Sequence, residues 1–193
     1  RDAWNKAGAA GLLCAAIPAE YGGAGGDYRH ETVVMEEMMR AGITGFGYQV
    51  HSTIVAPYIL HYGTEEQRRR WLPGLATGAL VGAIAMTEPN TGSDLQAVRT
   101  TALRDGDDYV INGAKTYITN GSRADFITLL VKTNPEAGAH GCSFFLVPTN
   151  TKGFGVSKKL NKVGNLASDT AELHFEEMRV PKRYLLGEEN MGF

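Results

Sequence analysis

Cysteine is scarce. Cys14 and Cys142 are the only two, they lie far apart, and no C-x-x-C pair occurs. That argues against a disulfide framework and against a thiolate metal site, and two isolated thiols read as small buried hydrophobes in a reducing compartment. Positive charge is not in excess either: 19 Lys and Arg face 21 Asp and Glu, for a net charge of −2. Nucleic acid is therefore not expected as the main partner, because phosphate binding rests on a basic surface. No apolar run reaches the roughly 20 residues that a membrane span needs, so no membrane span is expected. The five histidines, His30, His51, His61, His140 and His174, show no metal-ligand spacing and read as structural or solvated. No signal-peptide pattern is present. The chain opens on Arg1-Asp2 and closes on Met191-Gly192-Phe193 with no terminal element, so a piece of a longer protein is expected.

What is present suffices for a core: 193 residues, 43% of them hydrophobic, enough for one large domain or two small ones. The first 80 residues carry helical periodicity. Trp4, Ala7 and Gly11-Leu12 form a stripe, which breaks at Ile17-Pro18 before the flexible run 21–26. Val34, Met35, Met38 and Met39 among Glu31, Glu36, Glu37 and Arg40 form an amphipathic helix ended by Gly42. A third helix is expected from Phe46 to Leu60, bent by Pro57. Thr64-Glu65-Glu66-Gln67 reads as a capping box opening a short helix through Trp71, with Arg68, Arg69 and Arg70 on its solvent side.

After residue 80 the period shortens to two. Strands are expected at 81–87, around Val98 to Ala102, at 109–111, 115–119, 126–131, 144–147 and 171–175. Asp105-Gly106 and Asn112-Gly113 read as hairpin turns, since tight turns of the primed types need positive φ. No helix-length pattern intervenes, so the sheet should be mostly antiparallel. The fold class is α+β: an N-terminal α-helical domain (1–80), then an antiparallel β-barrel or sandwich domain (81–187), with 188–193 opening whatever follows.

Two segments carry candidate chemistry. Met86-Thr87-Glu88-Pro89-Asn90-Thr91-Gly92-Ser93-Asp94 follows a strand and combines hydroxyls, a proline and a glycine. Taken alone it is either an ordinary turn or a loop that shows backbone N–H groups and hydroxyls to an anion or a heteroaromatic edge. Lys115-Thr116-Tyr117-Ile118-Thr119-Asn120-Gly121 is either a platform for a flat ring or a strand end whose Tyr117 and Ile118 face opposite sides of the sheet.

Together these segments resemble the paired flavin-binding signatures of acyl-CoA dehydrogenases. Thr-Glu-Pro-x-x-Gly-Ser-Asp stands at 87–94 and Lys-x-Tyr-Ile-Thr-Asn-Gly at 115–121. Ile17-Pro18-x-x-Tyr21-Gly22-Gly23, Tyr62-Gly63-Thr64-x-x-Gln67, Lys162-x-Gly164, Ser168-Asp169-Thr170, Val180-Pro181 and Leu186-Gly187 extend the likeness in family order over nearly the whole chain. Tyr117 stands where many relatives carry Trp, Thr91 where Ala or Gly is more usual, and Leu166 where short- and medium-chain relatives often carry Arg.

The resemblance implies an FAD enzyme that dehydrogenates acyl-CoA thioesters at the α and β carbons. It implies cofactor contacts from Ile84, Met86, Thr87, Gly92, Ser93, Tyr117, Ile118 and Thr119. Thr87 and the backbone near Met86 would serve the pyrimidine side, Gly92 and Ser93 the pyrophosphate, and Tyr117 and Ile118 the ring. The Thr119 hydroxyl would lie near flavin N5, and Ser93 would also approach the CoA substrate. Glu88 would support its loop. The acyl chain would lie against the helix of residues 46–58. No catalytic residue is expected in this chain, because the family's base is a Glu on a C-terminal helical domain. Electron-transfer flavoprotein would be the acceptor, and the full-length protein a tetramer or dimer. The location would be cytoplasmic in a bacterium or the mitochondrial matrix in a eukaryote. The alternatives are an acyl-CoA oxidase, nitroalkane oxidase or flavin monooxygenase on the same scaffold, or an inactive binding fragment.

Overall fold

A computed structural model describes residues 1–192; Phe193, the last residue of the expected 188–193 segment, lies outside the described residues. Helices come first: α1 (Asp2–Ala9), α2 (Tyr28–Arg40), a π-helix (Gln49–Val55), α3 (Ala56–Tyr62) and α4 (Glu65–Thr77). Eight strands follow: β1 (Gly82–Ala85), β2 (Thr101–Asp105), β3 (Asp108–Thr119), β4 (Phe126–Lys132), β5 (Cys142–Pro148), β6 (Phe154–Lys159), β7 (Thr170–Pro181) and β8 (Leu185–Leu186). This is the α+β arrangement expected from the change of period.

Local chemistry sets the helix ends. At α4 the Thr64 hydroxyl accepts from the Gln67 amide at 3.2 Å while Gln67 Oε1 accepts from the Thr64 amide at 3.0 Å, the reciprocal cap read from the sequence. The helix runs past Trp71 to Thr77, carrying Pro73 inside it. Arg69 and Arg70 are exposed as expected, Arg70 lying over the rings of Trp71 and Tyr184, while Arg68 is half-buried. The expected bend at Pro57 takes another form. The chain winds as a π-helix up to Val55, and Pro57 then sits in the first turn of α3. A proline ring crowds the carbonyl four residues back, and the wider winding makes room for it.

The sheet order is β6-β7-β3-β2-β4-β5-β8, with β1 also paired to β4. The β2–β3, β3–β7, β4–β5, β5–β8 and β6–β7 pairs are antiparallel, while β1 and the start of β2 run parallel to β4. The sheet curls over its inner face, since Tyr109 of β3 meets Phe145 of β5 at 4.9 Å although these strands are not neighbours. Ala83, Ala85, Ile111, Ile118, Leu129 and Leu173 belong to this inner core.

Asn112-Gly113 is not a turn. It lies inside β3 opposite a bulge in β7: the two steps from Ile111 to Gly113 oppose three from Met178 to Phe175, and Glu177 takes φ 46° to accommodate the extra residue. The Asn112 side chain is spent on the neighbouring strand, where it donates to Glu177 Oε1 and accepts from the Glu177 amide, each at 2.8 Å. Gly113 takes φ 150°, and a Cβ there would come within 2.5 Å of Thr100 Oγ1, so the glycine is required for strand packing.

A second core joins the layers. Trp71, Leu72 and Leu75 of α4 and Ile59 of α3 pack on Phe126, Leu130, Phe144 and Leu146 from the outer face of β4 and β5. The Trp71 and Phe126 rings are 4.4 Å apart. His51 ties the π-helix to both neighbours: its Nε2 donates to the Leu75 carbonyl at 3.0 Å, and its Nδ1 accepts from the Gly82 amide at 3.2 Å.

Candidate functional site

Strand β1 delivers the first segment. Ala83 and Ala85 point into the inner core, so the alternate positions, Ile84 and Met86, turn toward the core shared with the helices and remain half-buried. The chain then leaves the sheet. Glu88 and Thr91 exchange backbone hydrogen bonds of 2.9 and 3.2 Å around Pro89-Asn90, and Thr91 Oγ1 donates to the Asp94 carbonyl. Gly92, Ser93 and Asp94 are exposed. Gly92 does not adopt a positive φ, and a Cβ there would meet only Thr87 Cγ2 at 3.8 Å. Nothing within the chain demands a glycine at 92, so a demand, if one exists, comes from outside it.

Strand β3 delivers the second segment through another bulge. Lys115 pairs with Leu173 and Ile118 with Ala171, so three steps on β3 oppose two on β7. The extra residue is accommodated by Tyr117 at φ 58°, in the left-handed region that costs a non-glycine residue about 1–2 kcal/mol. The bulge throws the Tyr117 ring outward, 69% exposed, and turns Ile118 into the inner core. Tyr117 and Ile118 therefore face opposite ways, and Ile118 has only its backbone to offer a ligand on the open face. Thr119 follows, half-buried, paired with Thr170.

The two segments are bonded to each other. The Thr116 amide donates to the Thr87 carbonyl at 2.9 Å. Lys115 Nζ donates to the Met86 carbonyl and to Glu88 Oε1, both at 2.9 Å. Glu88 also accepts from the Arg99 amide at 2.7 Å and the Thr100 amide at 2.9 Å. Burial pulls the fully buried Lys115 down to about 8, while the Glu88 charge beside it works to hold the proton on. For Glu88, burial acts to raise the carboxyl, but the Lys115 charge and the contacts from Thr100 and Arg99 outweigh it and leave it below the usual range. Both groups are therefore charged near neutral pH. Glu88, with every oxygen engaged in holding its loop, is not available as a base.

The match to known protein families follows this division of the chain. Residues 1–79 match the model "Acyl-CoA dehydrogenase, N-terminal domain" and residues 83–178 match "Acyl-CoA dehydrogenase, middle domain". The chain belongs to the acyl-CoA dehydrogenase family. It is 50% identical over 195 residues to the mitochondrial long-chain specific acyl-CoA dehydrogenase of Sus scrofa, covering all of this chain and 45% of that protein. The acyl-CoA dehydrogenase from Geobacillus kaustophilus superposes with a TM-score of 0.96 at 47% identity, over 100% of this chain and 51% of that one. A glutaryl-CoA dehydrogenase from Mycobacterium smegmatis in complex with FADH2 superposes with a TM-score of 0.89 at 35% identity, over 98% and 48%. The chain thus spans about half the length of the relatives it matches.

The exposed features fit the flat, anionic cofactor of acyl-CoA dehydrogenases. Tyr117 offers an uncovered aromatic face, and Gly92-Ser93 an uncrowded stretch of loop. Among the described residues, the hydroxyls of Thr87, Ser93 and Thr119 and the amide of Thr87 have no hydrogen-bond partner. A cavity of about 800 Å³ lies elsewhere, between α3 and residues 186–192, where Tyr58, Tyr62, Phe144, Leu186 and Met191 line it. None of the eight residues expected to bind the cofactor lines it. Among the described residues no group of three or more His, Cys, Asp and Glu could hold a metal ion, and no helix is long and apolar enough to cross a membrane.

Two residues that hold this face in place were not singled out from sequence. Asn120, at φ 63°, donates to the Gly47 carbonyl at 3.1 Å and the Gly82 carbonyl at 3.2 Å, pinning the end of β3 to β1 and to the loop before the π-helix. Asp169 is buried and accepts from the Ser122 amide at 2.9 Å and the Ser122 hydroxyl at 2.5 Å. The sequence signal for Asn120 is its residue type, since asparagine is among the non-glycine residues that best tolerate left-handed backbone.

Proposed function

We propose that the full-length protein is an FAD-dependent acyl-CoA dehydrogenase that removes hydrogen from the α and β carbons of acyl-CoA thioesters. The observation that carries this reading is the bonded pair of segments at 86–94 and 115–121, which together offer hydroxyls, an amide and an exposed aromatic ring. Thr87 and the Met86–Thr87 backbone hold the pyrimidine end of the flavin, with Ile84 behind them. Gly92 and Ser93 take the pyrophosphate, and Ser93 also the CoA moiety. Tyr117 and the Ile118 backbone cover the ring, and Thr119 donates toward N5. When bound, FAD supplies the hydride acceptor. The chain's own contribution is to fix donors where charge develops, which costs no reorganisation during reaction.

Residues 1–80 and 81–187 act as a helical and a flavin-binding domain, with 188–193 leading into further chain. The acyl chain runs along residues 46–58, and identity to a long-chain enzyme makes a long acyl-CoA the first substrate to test. The base lies outside these residues. Electron-transfer flavoprotein accepts the electrons, the complete protein is a tetramer or dimer, and it works in the bacterial cytoplasm or the mitochondrial matrix.

The test is anaerobic bleaching of the flavin absorbance by acyl-CoAs of graded length. The full-length protein should be yellow and bleach within its catalytic cycle time, and residues 1–193 alone should bind FAD weakly and show no turnover. Rapid reoxidation by oxygen would instead assign an oxidase. A 193-residue chain that bleaches at enzymatic rates would overturn the placement of the base.

A further inference from the structure

We propose that Lys115 tunes the bound flavin through a single peptide unit, the one that joins Met86 to Thr87. This rests on the flavin reading above and adds a residue to it. Lys115 is fully buried, so it touches no ligand itself, yet its Nζ sits 2.9 Å from the Met86 carbonyl oxygen. That oxygen and the Thr87 N–H are the two polar ends of one planar amide. An ammonium at the oxygen draws electron density along the amide and makes the N–H a stronger donor. The Thr87 N–H has no acceptor among the described residues, and it lies at the start of the loop that faces the cofactor.

The counter-charge is oriented to favour this direction. Glu88 binds the same ammonium at 2.9 Å, but its oxygens are also held by the Arg99 and Thr100 amides. The ion pair is neutral as a whole, and it turns its positive end toward Met86. Because both side chains are buried, solvent and salt screen this dipole weakly. Reduction places negative charge on the pyrimidine end of a flavin. A strengthened donor there stabilises the reduced cofactor more than the oxidised one. Lys115 is accordingly a positioning residue, acting through a peptide and not on the substrate.

The test compares the full-length holoprotein with Lys115→Met and with the charge-balanced double variant Glu88→Gln/Lys115→Met. The single variant strands a buried carboxylate and can fail to fold, whereas the double variant removes both charges together. The readouts are FAD affinity by calorimetry, thermal melting, and the midpoint potential of bound FAD by dye equilibration. We expect each folded variant to favour the oxidised over the reduced flavin about tenfold more than wild type, a fall of about 30 mV for a two-electron couple. A role confined to holding the loop predicts lower melting temperature and weaker FAD binding at unchanged potential. That result, or loss of FAD from both variants, overturns the tuning role. A wild-type protein that takes up no flavin overturns the flavin reading itself, and this inference with it.

Discussion

His51 makes the protein's stability sensitive to mild acid, and the effect can be worked out from its surroundings. Burial holds the imidazole neutral, lowering its pKa from 6.5 to about 4; the hydrogen bond to the Leu75 carbonyl and the charge of Asp125 oppose this without cancelling it. Above pH 6.5 the ring is neutral whether the chain is folded or not, and its contribution is fully present. As pH falls below 6.5 the unfolded chain takes up a proton that the folded chain refuses until about pH 4. Stability is therefore lost across this window, about 2 kcal/mol by pH 5 and about 3 kcal/mol by pH 4. Carboxylates add their own dependence, so the measurement must be differential. His51→Gln keeps one donor and one acceptor for Leu75 and Gly82 but does not titrate. Urea unfolding of both proteins at pH 7.5, 6 and 5 should show the variant less stable at pH 7.5, because contact with the Trp4 ring is reduced. The two should converge as pH falls. Parallel slopes, or an imidazole titrating above pH 6 by NMR in the folded protein, would refute the argument.

Three further outcomes bear on the candidate site. Gly92→Ala should change stability by no more than about 0.5 kcal/mol, since a Cβ meets only Thr87 Cγ2, while FAD affinity by calorimetry falls about tenfold; equal affinity would remove Gly92 from the site. Tyr117→Gly should raise the melting stability of the cofactor-free protein by about 1 kcal/mol by relieving its left-handed backbone, and weaken FAD binding by taking away the ring face. If melting and affinity fall together, the bulge is structural only. Thr119→Val should slow flavin reduction on the order of 10²-fold in stopped-flow bleaching of the full-length enzyme, with FAD affinity little changed; an unaltered reduction rate would count against the N5 assignment.

The sequence showed its structure where chemistry is local and concealed it where the cause sits on another strand. The Thr64 cap and the Asp105-Gly106 hairpin need only their own neighbours, and both were legible. Asn112-Gly113 has the same turn chemistry as Asp105-Gly106, but the Asn112 side chain is bonded to Glu177, 65 residues on, and the result is a bulge. Glu31 looked like part of the polar face of α2. It is buried instead, accepting from the Ala16 amide at 3.0 Å and from the Tyr48 hydroxyl. Strand β6, an exposed edge with Lys158 and Lys159, has too few apolar residues to reveal a period of two. At the candidate site the residue types were legible because the signature segments resemble a known family. The opposite facing of Tyr117 and Ile118 could be weighed but not decided, because it depends on register against β7.

The core shared by α3, α4, β4 and β5 means that residue 80, where the period changes, is a poor place to cut. Phe126, Leu130, Phe144 and Leu146 are encoded in the sheet but complete the interior of the helical layer. A chimera joined there, with helices from one relative and strands from another, would bring together two half-cores selected apart. It should need compensating changes on the outer faces of β4 and β5 before it folds well. For the same reason hydrogen exchange should find the α4 amides and the β4 amides opening together, as one cooperative unit spanning both layers.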